Sequence, residues 1–183
     1  MKSKVHVGII SALILIILCS IPTIRSAYEF GTCGDSAEEM ITFLEEFQMA
    51  EVNELLKVKE YGRVKAAIYE REDIGLCIAT FERKLFGLRW KYDGMNTLCE
   101  NGIQVHGGWL RTANDGSKCT LVICGDNRDG SVGSYVMTEY IQVARDNLEA
   151  DFIIDIYILD GIDRLPRVLQ QRTHDGSIFV QER

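Results

Sequence analysis

Beyond residue 27 the side chains best equipped for covalent chemistry are five cysteines, Cys33, Cys77, Cys99, Cys119 and Cys124. A thiol attacks only as its thiolate, so a catalytic cysteine needs a nearby imidazole or another cation. The same stretch holds two histidines, His106 and His174, and a cysteine–histidine pair would have to join Cys99 or Cys119 with His106. No recognised local signature surrounds these residues. There is no C-x-x-C to favour zinc, and no G-x-S-x-G elbow presents a serine. An odd cysteine count leaves at least one thiol without an intramolecular partner, while up to two disulfides could form in an oxidising compartment. Cys119 and Cys124 lie five apart on a predicted strand and so fall on opposite faces, which makes them poor partners for each other. The plain alternative is that the thiols are buried and act as small hydrophobes.

Recognition chemistry is the second option. In Ile103–Trp109, two glycines follow His106 and would let a ligand or backbone approach, and Trp109 offers a flat face. With Trp90 as a further aromatic, these residues form the candidate binding set for a sugar or peptide. The competing role for His106 is a solvent-facing strand residue beside a bulge, with Trp109 filling core. The loop Gly125–Gly130 is rich in oxygen donors, but Arg128 occupies a position where a calcium loop requires an oxygen, so it reads as a polar turn. Asp151 and Asp155 would face the same way on a strand about 13 Å apart, too far for glycoside hydrolysis. Both pairs, Asp151 with Asp155 and Asp160 with Asp163, are read as solubilising, with Arg164 and Arg167 pairing locally with Asp160 or Asp163. The sequence implies no metal site and no cofactor.

These residues need elements to position them. Ser36 followed by Glu39 is a capping box, and Met40, Ile41, Leu44 and Phe47 recur at helical spacing, which predicts an amphipathic helix ending near Ala50. Alternating runs beginning at Val64, Ile74 and Leu88 predict three adjacent strands. Further strands are expected at 103–110, 119–124, 134–143, 152–159, 167–171 and 177–181. Residues 134–148 could instead form a helix. Five Asp-Gly pairs, beginning at Asp93, Asp115, Asp129, Asp160 and Asp175, are expected at loop tips. The predicted fold class is α+β, with one N-terminal amphipathic helix packed on a mainly antiparallel sheet.

The first 27 residues set the location. Lys2 and Lys4 precede an uncharged run from Val7 to Ile24, which spans about 27 Å as a helix, close to a bilayer's hydrocarbon thickness. Cuts after Ala27, Ser26 or Ser20 would place Arg25, Ile24 or Leu18 where a signal peptidase requires a small residue, so both a retained anchor and a cleaved signal remain in play. The lysines favour an inside amino terminus and an exported domain. Two units are expected: residues 1–27 as signal-anchor or signal peptide, and residues 28–183 as one extracytoplasmic domain. Removing the charges of Lys2, Lys4 and Arg25 from the chain's −7 leaves −10 on that domain, which argues against nucleic acid. The leading expectation is a membrane-anchored, non-enzymatic domain that contacts the membrane through residues 7–24 and binds an envelope or extracellular partner. If the leader is cleaved, the alternatives are a small secreted thiol-dependent enzyme or a disulfide-stabilised effector.

Overall fold

Three stretches lack the polar alternation of a half-exposed strand: Val64–Tyr69, Leu121–Cys124 and Ile153–Ile156. Strands buried on both faces read as near-continuous apolar runs, and each of these runs lies inside the molecule. The computed structural model describes residues 31–84, 89–98, 102–113, 116–137, 143–160 and 168–182. The predicted leader lies outside the described residues. Among those described, no helix is long and apolar enough to cross a membrane.

The order of elements is β1 (Thr32–Cys33), α1 (Ala37–Gln48), β2 (Val52–Tyr61), β3 (Val64–Arg71), β4 (Gly75–Lys84), β5 (Arg89–Thr97), β6 (Gly102–Ala113), β7 (Gly116–Asp126), β8 (Val132–Met137), β9 (Val143–Asp146), β10 (Phe152–Asp160), β11 (Val168–Thr173) and β12 (Ile178–Glu182). They form three sheets with orders β1-β5-β4-β3-β2, β10-β7-β6 and β12-β11-β8-β9, here called sheets A, B and C. All pairings are antiparallel.

Helix α1 is built as its capping box dictates. The Ser36 hydroxyl accepts from the Glu39 N–H at 3.1 Å, and the Glu39 carboxylate accepts from the Ser36 N–H at 3.3 Å. Met40 and Leu44 join one face of sheet A through Ala67, Tyr69, Cys77, Ala79, Phe81 and Trp90. The opposite face of that sheet, through Ala66, Ile68 and Ile78, packs on Val122, Cys124, Ile154 and Ile156 of sheet B. Sheet B turns its other face, with Ile103, Leu121, Ile123 and Ile153, to Tyr135, Met137, Val143 and Leu169 of sheet C. The result is a stack of helix, sheet A, sheet B and sheet C.

This overturns the α+β expectation. The molecule is mainly β, 66% strand against 10% helix, and one helix beside several antiparallel sheets does not define an α+β fold. The apolar runs were visible as strands, but a two-sided burial that calls for three sheets is not recorded in any single strand. Within 134–148, residues 134–137 and 143–146 are in strands β8 and β9 rather than in a helix. Asp93-Gly94 is not a tip: Phe81 pairs with Tyr92 and Thr80 with Gly94, so Asp93 is the extra residue of a bulge inside β5. Asp129-Gly130 and Asp175-Gly176 do sit in turns, with Gly130 and Gly176 at φ of 65° and 90°.

Gly125 of β7 is tightly enclosed. A Cβ there would lie 2.1 Å from the Gly102 carbonyl oxygen and 2.6 Å from the Ile103 Cα, both backbone atoms that cannot swing away. Gly125→Ala should therefore destabilise the protein by about 2–3 kcal/mol, seen as a lower urea midpoint with an unchanged slope.

Candidate functional site

An aspartate in the apolar run Ile153-Ile154-Asp155-Ile156 must find partners or stay out of the interior. Asp155 is 5% exposed, and three sheets meet at its carboxylate. Lys59, from sheet A, donates to Oδ1 at 2.7 Å. From sheet C, Arg145 Nη1 donates at 2.5 and 2.6 Å, and the Tyr135 hydroxyl donates to Oδ2 at 2.8 Å. The Tyr157 hydroxyl lies 2.6 Å from that of Tyr135. Burial would raise the Asp155 pKa, but the hydrogen bonds from Arg145, Lys59 and Tyr135 prevail and hold it below the usual carboxylate value. Burial, then Tyr157 and Asp155, push the Tyr135 phenol far above its ordinary range. Such a carboxylate does not pick up protons near neutrality, and the phenol does not release one. The cluster locks sheets together and is not an acid–base pair.

Trp90 of the candidate binding set is 1% exposed and offers no ring face to a ligand. Its indole N–H donates to Asp35, which also accepts from Lys65 Nζ at 3.1 Å. Lys65 Nζ lies 4.3 Å and Arg83 Cζ 4.7 Å from the ring centroid, so the ring is enclosed by cations. The other two members, His106 and Trp109, are on β6 in sheet B rather than in sheet A with Trp90. Their register contains the bulge anticipated beside His106, at Gly107, while their side chains lie outside the described residues.

Cys33, Cys77 and Cys124 are buried free thiols. Burial pushes the Cys33 and Cys77 thiols up to about 11, and Cys124 higher still. Cys99 and the Cys119 side chain lie outside the described residues.

The oxygen donors of the 125–130 loop are engaged internally. Asp126 takes Arg128 Nη2 at 2.7 Å, and the Asn127 side chain accepts from the Val132 N–H at 2.9 Å and donates to its carbonyl at 3.2 Å. Among the described residues no group of His, Cys, Asp and Glu is placed to hold a metal. Asp155 is committed to its cations, which separates it from any joint role with Asp151. Asp163, Arg164 and Arg167 lie outside the described residues.

Two concavities lie among the described residues away from these groups. A groove of about 650 Å³ beside α1 carries Glu38, Glu39 and Glu46, with Glu39 already engaged in the helix cap. A second, about 240 Å³, lies on the outer face of sheet C among Ser134, Val136, Asp146, Gln170, Arg172 and Ile178. Register aligns these residues in two rows, Val180–Gln170–Val136–Ala144 and Ile178–Arg172–Ser134–Asp146. This face is the end of the stack, with no further layer among the described residues. Sequence reading missed it, because Val168–Thr173 mixes polar and apolar residues on both faces and gives no clean period. A lone charge inside an apolar run is the sequence signal of the Asp155 cluster, and the solubilising reading overlooks it.

No family model matches the chain, and no curated protein or solved structure is significantly similar to it.

Asp155→Asn should cost about 3 kcal/mol by stranding its cations. That figure sits at the low end for a buried pair because Lys59 and Arg145 are 40% exposed and can hydrate. The folded carboxyl titrates below the unfolded one. Its contribution is therefore full above about pH 5 and lost as pH falls through the folded value, so the variant should flatten the acid limb of a stability–pH curve. Cys33, Cys77 and Cys124 should resist iodoacetamide in the native protein at pH 8 and react at once in denaturant, as followed by mass spectrometry.

Proposed function

We propose that this chain is an exported, non-enzymatic recognition domain that binds a protein partner of the envelope or extracellular space through the outer face of sheet C. The observation carrying this reading is the contrast between a closed interior and that open face. Inside, the carboxylate at the centre, the phenols and the described thiols are buried and held in their unreactive protonation states. Outside, Arg172 and Asp146 lie two strands apart, on either side of Ser134, on a shallow surface that also carries Val136, Ala144 and Ile178. Its volume of about 240 Å³ is below the range of small-molecule pockets, roughly 300–1,000 Å³, which favours a protein surface as the occupant. Mixed polar and apolar character is usual for such non-obligate contacts. The leader sequence supports export, as an anchor or as a signal. A thiol-dependent enzyme is disfavoured for the described cysteines because their thiolates are suppressed.

The test is binding of the labelled full-length protein to intact cells of its source and to their envelope fraction. Saturable binding, competed by unlabelled protein and weakened at least tenfold by Arg172→Glu, supports the reading. Binding that does not saturate, or that Arg172→Glu leaves unchanged, overturns it.

A further inference from the structure

Five of the six edge strands among the described residues carry at least a local protection against pairing with another chain. β1 is two residues long. β2 runs beside β10, with Lys57 donating to the Phe152 carbonyl at 2.5 Å and Lys59 to Asp155, so these two edges guard each other. The outer edge of β6 is occupied at Ile103 by the Gln171 side chain, which accepts from the Ile103 N–H at 3.0 Å and donates to its carbonyl. β9 is four residues long and charged at Arg145 and Asp146. The exception is β12. Ile178, Phe179 and Val180 are 55%, 60% and 58% exposed, with no proline, lysine or bulge among them. An edge of that kind is a template for another strand.

The hairpin fixes which groups face outward. Gly176 N–H donates to the Thr173 carbonyl at 3.1 Å and Thr173 N–H to the Ser177 carbonyl at 3.0 Å, a three-residue loop closed by Gly176 at positive φ. Hydrogen-bonded pairs alternate from there, so Phe179 bonds toward β11, and Ile178 and Val180 direct their N–H and C=O to the open side.

We infer that the partner of this edge is a second copy of the same chain, paired antiparallel about a two-fold axis at Phe179. Around that residue the strand is self-complementary: Ile178 falls opposite Val180, and Ser177 opposite Gln181, in both directions. Phe179 faces its own copy in a non-hydrogen-bonded pair, where side chains come closest. Ile178 and Val180 exchange four backbone hydrogen bonds across the axis. A register centred on Val180 would set Ile178 against Glu182, an apolar residue against a charge. The self-pairing is an isologous contact that closes at two copies, and it joins two four-stranded C sheets into one of eight strands. A contact built mainly on two short strands falls at the low end of specific interfaces, below about 1,200 Å², so the dimer is concentration-dependent.

The pairing involves the protein alone, so it can fail or succeed separately from the exported-partner reading. The full-length protein is examined by sedimentation velocity over a concentration series and by oxidative cross-linking with copper phenanthroline. Cβ atoms in a non-hydrogen-bonded pair are close enough for a disulfide. F179C should therefore form a covalent dimer at least tenfold faster than wild type, I178C or V180C alone. A mixture of I178C and V180C, which meet in the wider hydrogen-bonded pair, should cross-link faster than either variant alone but more slowly than F179C. Val180→Lys, folded by circular dichroism, should weaken the dimer at least tenfold. A wild type that stays monomeric throughout, or an I178C that cross-links as fast as F179C, overturns the inference.

Discussion

The carboxylate of Asp155 is the point at which the three sheets are obliged to agree. It belongs to sheet B, accepts from Lys59 of sheet A, and accepts from Tyr135 and Arg145 of sheet C. Apolar packing between layers is non-directional and would tolerate sliding, whereas a buried charge with four short hydrogen bonds tolerates little displacement. The apolar contacts supply the drive to stack. The charge determines where the layers stop.

The same logic applies at three other polar side chains in the stack. Lys65 lies on β3, a strand buried on both faces, and is kept there by Asp35 and by the face of Trp90. At the end of α1, Gln48 bonds the Tyr69 hydroxyl and Arg71, which ties the helix to sheet A. Gln171 takes the place of a neighbouring strand at Ile103 of β6 with its own amide. Each polar group is paired by one from a different element, so polar satisfaction and tertiary arrangement are the same constraint.

Local features were legible in the sequence, and non-local ones were not. The Ser36–Glu39 cap is a four-residue signal and reads directly, as do the turn at Asp175-Gly176 and the long apolar strands. The fold class was misjudged because strand order depends on which apolar faces meet, and Val64–Tyr69 reads the same whether one sheet or two cover it. Asp93-Gly94 has the composition of a turn, yet the flanking pairs Phe81–Tyr92 and Thr80–Gly94 absorb it as a bulge. For the site, Trp90 shows why an aromatic residue type is a weak indicator of recognition. Its surroundings come from Lys65, Arg83 and Asp35, up to 55 residues away in the chain, and they place it in the interior.

The contact between β2 and β10 also sets the order in which the chain can become whole. Lys57 and Lys59 meet their partners 95 and 96 residues further along. Strands β2 to β5 form a continuous meander and can pair as soon as they are made, whereas the face carrying Ala66, Ile68 and Ile78 has nothing to rest on until Val122 and Cys124 of β7 arrive and is not fully covered until residues 152–160 follow. Non-local closure of this kind is slow, and a half-built sheet exposes apolar surface in the meantime. During synthesis the vulnerable species is a finished first sheet with one face wet, and its lifetime is set by the distance along the chain to β7 and β10.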